Sequence, residues 1–222
     1  MKNRETVKEW IYEHKIVAIA RRVKPEDMVN TAKALFEGGI RSLEITFDQA
    51  SDTCIADTAA SISQVKEALG DQMCVGAGTV MTVEQAEAAK EAGADFALAP
   101  DTNVEVIHKI NELGMVSVPG ALSPTEIATA YQAGATIVKL FPADTLGLAY
   151  VKAVRGPISH VPLMAVGGVS LDNFKDFLDS GFTSVGIGSN IVRNDLIEKG
   201  EFEKIRELAK AYTDKLQELK TA

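Results

Sequence analysis

Short apolar runs alternate with amphipathic stretches along the whole chain, and this alternation restricts the fold more than any other feature. Eight runs read as strands: KIVAIAR (15–21), SLEITF (42–47), CVGAGTV (74–80), FALAP (96–100), VSVPGA (116–121), IVKLFP (137–142), LMAVGGV (163–169) and SVGIGS (184–189). Successive starts lie roughly 20 to 32 residues apart, the length of one strand–helix unit. Helical patterns fill the intervals, such as Glu84–Glu91 before Gly93 and Thr125–Gln132 before Gly134. Gly38, Gly93, Gly114, Gly134 and Gly181 each follow a helical stretch, where a left-handed residue closes the helix. Eight alternating units without a linker predict an α/β fold, a parallel (β/α)8 TIM barrel, as a single domain over residues 1–222. An extra N-terminal helix (about 5–13) precedes the first strand, and a last helix (about 201–219) follows the eighth. A doubly wound open sheet fits less well, having fewer strands and often a GxGxxG after the first, which is absent.

Composition narrows the function classes. Asp and Glu (31) outnumber Lys and Arg (23), for a net charge of −8, so the basic face that general nucleic-acid binding needs is missing. A small anionic ligand is still compatible, because a few local cations can dominate one pocket. No apolar segment approaches membrane-span length, and MKNRETVKEWIYEHK lacks an apolar signal core, so a cytoplasmic protein without membrane contact is expected. Cys54 and Cys74 make no CxxC, and the histidines 14, 108 and 160 have no ligand spacing, so neither a disulfide scaffold nor a metal centre is expected.

Lys139 lies in the middle of the sixth run, ATIVKLFP, with no other charge beside it. A lysine is seldom fully buried without a partner, and burial disfavours its charged form. A neutral amine is a nucleophile towards carbonyl carbon. Side chains alternate along a strand, so Lys139 shares its face with Ile137 and Phe141, while Val138 and Leu140 face the helices. In the second run Glu44 shares its face with Thr46, and Leu43, Ile45 and Phe47 face outward. Lys139 and Glu44 therefore both point into the barrel, either as a mutually neutralising pair or as nucleophile and proton carrier.

Other candidates sit at the strand ends, where such barrels place their sites. Thr79 ends the third run on the face of Val75 and Ala77, which would turn its hydroxyl to the pocket; as a cap for the following helix, Thr82 fits better. Arg21 ends the first run and fits either a solvated surface position beside Arg22 or an inward one that clamps a carboxylate or phosphate. Gly167, Gly168, Gly188 and Ser189 end the seventh and eighth runs, where barrels often bind phosphate through backbone N–H groups.

Nearly the whole chain, through KIVAIAR, GGIRSLEITF, VGAGTV, FALAP, VPGALSPTE, VKLFPA, AVGGVS and VGIGSNIV, resembles the class I aldolases of 2-keto-3-deoxy-6-phosphogluconate and 4-hydroxy-2-oxoglutarate. The resemblance implies Lys139 as the Schiff-base lysine and Glu44 as the acid/base. It implies Thr79 and Pro100 in the pyruvate pocket, Phe141 beside the lysine, and Gly168 and Ser189 at the phosphate. It also implies a metal-free homotrimer acting on a 2-keto acid, with no cofactor. One position departs: many members carry an arginine four residues after the glutamate, and this chain has Asp48. Asp48 is expected to face away as a turn residue, leaving Arg21 to meet the substrate carboxylate. A phosphosugar isomerase or epimerase, an aldolase for an epimeric sugar acid, and a non-catalytic metabolite-binding barrel are the alternatives on the same fold.

Overall fold

The computed structural model describes residues 2–221. Its strands are β1 (Ile16–Ala20), β2 (Ser42–Thr46), β3 (Cys74–Gly78), β4 (Phe96–Leu98), β5 (Val116–Val118), β6 (Gly120–Ala121), β7 (Val138–Leu140), β8 (Leu163–Val166) and β9 (Ser184–Ile187). They form one parallel sheet in the order β5-β4-β3-β2-β1-β9-β8-β7-β6. Only Pro119 separates β5 from β6, so these are two halves of one barrel strand, broken where proline has no N–H to donate. Both halves bond across to the last gap. The N–H groups of Thr136 and Ile137 donate to the Ser117 carbonyl at 3.0 and 3.3 Å, and that of Lys139 to the Pro119 carbonyl at 2.8 Å. The result is the eight-stranded parallel TIM barrel that the alternation predicts, with an added N-terminal helix.

The helices start where local chemistry favours it. α1 (Arg4–His14) is capped by Asn3, α4 (Val83–Glu91) by Thr82 and α5 (Val104–Glu112) by Asn103. α6 (Pro124–Gln132) opens with a reciprocal Ser123–Glu126 capping box and a proline in its first turn. Four of the five helix-ending glycines adopt positive φ: Gly93, Gly114, Gly134 and Gly181. The fifth position is a correction. After α2 (Pro25–Glu37) the left-handed residue is Gly39, at φ 93°, while Gly38 stays at φ −74°. Gly38 instead admits the final helix, α10 (Phe202–Thr221), since a Cβ there would lie 2.5 Å from that of Ala209.

Two apolar layers hold the barrel. Between strands and helices lie Leu43, Ile45, Phe47, Val75, Ala77, Val138 and Leu140, as the alternation requires. Inside the barrel lie Val17, Ile19, Cys74, Phe96, Leu98, Val116, Val118, Ile137, Met164 and Val166. Val7 and Ile11 of α1 join this inner cluster and close the barrel floor. Each fully buried side chain of this kind contributes about 1.5–3 kcal/mol. On β3 the inward positions after Cys74 are glycines. A Cβ on Gly76 would lie 2.2 Å from the Phe96 ring, and one on Gly78 would lie 1.8 Å from Glu44 Oε1. β3 thus gives its interior volume to an aromatic ring and to a carboxylate.

Candidate active site

Glu44 and Lys139 both point into the barrel, from the middle of β2 and of β7. Glu44 is 0 % exposed and Lys139 4 %. Neither carboxylate oxygen of Glu44 has a hydrogen-bond partner. Burial pushes its pKa up from the ordinary carboxylate value, against the pull of Lys139 and Arg21. Burial likewise pushes the Lys139 amine down from its ordinary value; Glu44 opposes the shift, Arg21 adds to it, and Asp101 opposes it. A buried acid biased towards its proton thus faces a buried amine biased towards losing one. The Lys139 Nζ also sits 4.7 Å from the centroid of the Phe141 ring. Cys74, also buried in the barrel interior, is pushed up to about 12 by burial and makes a poor nucleophile.

At the barrel mouth, reached from the pair through Phe141, lies a cleft of about 770 Å³ whose walls do not include Glu44 or Lys139 themselves. Its walls include Arg21, Phe141, Gly167, Gly168, Gly188 and Ser189, so six residues singled out in the sequence come together on one cavity. Gly167 and Gly168 have φ of 95° and 68°, a backbone that a side chain would strain. A Cβ on Gly168 would also lie 1.8 Å from Asp144 Oδ2. Asn173 and Asn190 brace the two loops, donating to the carbonyls of Gly168 and Val169 at 2.9 and 2.8 Å. Exposed backbone, small residues and arginine at one mouth suit an anionic group.

Thr79 reaches the mouth by a route that strand parity does not give. Val75 and Ala77 face the helices, so continued alternation would send Thr79 outward as well. The chain leaves β3 at Gly78, and Thr79 takes φ 57°. It borders a hollow shared with Arg21, Arg22, Thr46 and Asp48. Pro100 lies past the end of β4, its carbonyl so near Gly120 that a Cβ there would be 2.3 Å away; it does not border the large cleft. Asp48 caps its own turn, accepting from the Ala50 N–H at 3.2 Å, and pairs with Arg22 at 3.4 Å. It is a turn residue, as expected, but at the rim of the mouth. Arg21 is exposed over the same mouth, and its charge acts on both Glu44 and Lys139.

Sequence reasoning did not single out Asp101. Its Oδ1 is buried without a partner, and its charge acts on Lys139. A loop position carries no periodicity; the only signal was an acidic residue directly after a strand-ending proline. Among the described residues no cluster of three or more His, Cys, Asp or Glu is arranged to hold a metal ion, and no helix is long and apolar enough to cross a membrane.

A parallel eight-stranded barrel with a buried lysine and glutamate beneath an anion-suited mouth defines a class of small-molecule enzyme. The family model for the KDPG and KHG aldolases matches residues 7–208, and the chain belongs to that family. Its members are carbon–carbon lyases of the aldehyde-lyase type. The 2-dehydro-3-deoxy-6-phosphogalactonate aldolase of Escherichia coli K12 is 30% identical, covering 94% of this chain and 100% of the relative. The 2-dehydro-3-deoxy-phosphogluconate aldolase of Treponema pallidum is 34% identical over 92% of this chain and 94% of its own. Among solved structures, a native KDPGal structure superposes with a TM-score of 0.83 at 29% identity, covering 93% and 96% of the two chains. The Legionella pneumophila KDPG aldolase, with pyruvate captured as a covalent carbinolamine, gives 0.83 at 27% identity over 94% and 98%.

Proposed function

We propose that this chain is a class I aldolase that cleaves a 2-keto-3-deoxy sugar acid 6-phosphate to pyruvate and a phosphorylated aldehyde. 2-Keto-3-deoxy-6-phosphogluconate or its galactonate epimer is the main substrate, with 4-hydroxy-2-oxoglutarate as the shorter one. The observation that carries this reading is the buried Lys139 amine, lowered in pKa, opposite a buried and unpartnered Glu44. The Lys139 Nζ adds to the C2 ketone to form a carbinolamine. Glu44 gives a proton to the departing hydroxyl, and water leaves to form an iminium. Glu44, now a carboxylate, takes the C4 hydroxyl proton as the C3–C4 bond breaks, and can return it at C3. The bond's electrons pass to the iminium nitrogen, the aldehyde departs, and an enamine stays on the lysine. Protonation at C3 and hydrolysis release pyruvate and the free amine. Phe141 packs beside the lysine, Thr79 and Pro100 line the pyruvate end, and Gly167, Gly168, Gly188 and Ser189 take the phosphate. We propose a cytoplasmic, metal-independent homotrimer as the working form.

Incubation with pyruvate and borohydride tests the reading. A reduced adduct mapping to Lys139 by peptide mass is expected. An adduct elsewhere, or none, sinks it in favour of an isomerase that uses Glu44 alone as base, or of a binding barrel. A panel of phosphorylated and unphosphorylated 2-keto-3-deoxy acids then ranks the substrates.

The carboxylate end of the substrate needs a cation, and we assign it to Arg21. A charge-assisted hydrogen bond is worth about 1.5–3 kcal/mol. Arg21→Ala is therefore expected to cost roughly ten- to a hundredfold in kcat/KM, and to weaken pyruvate binding comparably. Asp48→Ala should be mild, since Asp48 is occupied by its turn and by Arg22. Unchanged pyruvate affinity in Arg21→Ala, or greater damage from Asp48→Ala, would contradict the assignment.

A further inference from the structure

We propose that Asp101 is a positioning residue for Lys139, a carboxylate fixed beside the lysine that serves as its countercharge whenever Glu44 carries the proton. The inference rests on the Schiff-base reading and assigns a division of labour within that site.

The placement is built into the backbone. Gly120 is the register partner of Lys139 across the β6–β7 pair. The Gly120 N–H donates to the Asp101 carbonyl at 3.0 Å, and the Thr102 hydroxyl donates to the Gly120 carbonyl at 2.7 Å. These two bonds clamp the segment after β4 onto the strand beside the lysine. The clamp needs glycine, because a Cβ at position 120 would lie 2.3 Å from the Pro100 oxygen. Asp101 therefore arrives at a fixed height on the wall next to Lys139, and its Oδ1 is buried there with no hydrogen-bond partner. A buried carboxylate oxygen left bare at a site is costly unless a cation or a ligand meets it.

The charges that act on Lys139 come from three elements: Glu44 on β2, Arg21 after β1 and Asp101 after β4. Glu44 exerts the larger of the two acidic effects, but only while it is ionised. Its burial favours the protonated form, and a proton carrier must pass through that form in every turnover. At those moments Asp101 is the remaining carboxylate acting on the amine. Two acids in unlike surroundings then hold unlike roles, one moving protons and one holding charge.

Asp101→Asn keeps the backbone clamp and removes the charge. Loss of a nearby negative charge destabilises the ammonium form, so the Lys139 pKa falls and the free amine appears at lower pH. The acid limb of pyruvate trapping by cyanoborohydride, measured as rate against pH, should move to lower pH by about half a unit or more. The acid limb of kcat/KM for aldol cleavage should follow it. Asp101→Ser, also uncharged, should move both limbs in the same direction, and thermal melts report whether each variant keeps its fold. A purely structural role would change the height of the profile and leave its limbs in place. Limbs that superimpose on those of the wild type in both variants overturn the proposal, while the wild type still traps pyruvate. If the wild type itself fails to trap pyruvate, the Schiff-base reading fails first.

Discussion

Lys139→Ala should abolish aldol cleavage, lowering kcat by roughly three orders of magnitude or more, because covalent and acid–base contributions are lost together. Its borohydride adduct with pyruvate should vanish as well. The fold should survive. Among the described residues none is hydrogen-bonded to Lys139 Nζ, and burial already disfavours its charged form, so the truncation removes a group that is costly to bury along with some packing. Lys139→Met, which refills the volume, is expected to melt at or above the wild-type temperature while remaining inactive. Residual activity within tenfold of wild type in either variant would remove Lys139 from the chemistry.

Glu44→Gln should cost roughly a hundred- to ten-thousandfold in kcat, the range for losing a positioned acid/base. The amide fits the same space beside Gly78, so the pocket keeps its shape. The informative readout is exchange of the pyruvate methyl protons with deuterated solvent, followed by NMR. This exchange needs only the iminium–enamine step and no aldehyde. It should nearly stop in Glu44→Gln while a Lys139 adduct still forms slowly. Stability carries a second signature. Glu44 has a folded-state pKa above its unfolded value, so its contribution is fully present below the unfolded pKa and is lost as pH rises through the folded one. In Glu44→Gln that decline with rising pH should flatten. Wild-type exchange rates in the variant would assign the proton transfers to another group.

What could be read in advance follows from the length of each periodic run. Lys139 and Glu44 lie in the middle of strands, where a period of two fixes the face, and both point inward as the alternation of their neighbours demands. The period stops being informative at the strand ends. Thr79 belongs to the mouth, yet the parity that placed it there was mistaken, because its left-handed φ turns the chain after Gly78. The run 116–121 looked continuous, although Pro119 was a visible reason for a break. The apparent seventh strand ends at Val166, where Gly167 and Gly168 leave the extended region. Asp101 had no pattern around it; its place depends on Gly120, nineteen residues further along. That contact is set by the pairing register of β4 with the next strand, which local spacing does not encode.

The closed floor makes the site a one-ended vessel. Val7 and Ile11 stopper the barrel from below, in contact with the same inner layer that surrounds the lysine. On the proposed mechanism, water, substrate, aldehyde and pyruvate then pass through the upper mouth, past Arg21. On that mechanism a ligand in the mouth is also the cork, shielding the enamine from stray protons for as long as it stays. The helix at the start of the chain touches no reacting atom, yet by denying solvent a rear entrance it lets the visitor at the front govern how dry the reaction is.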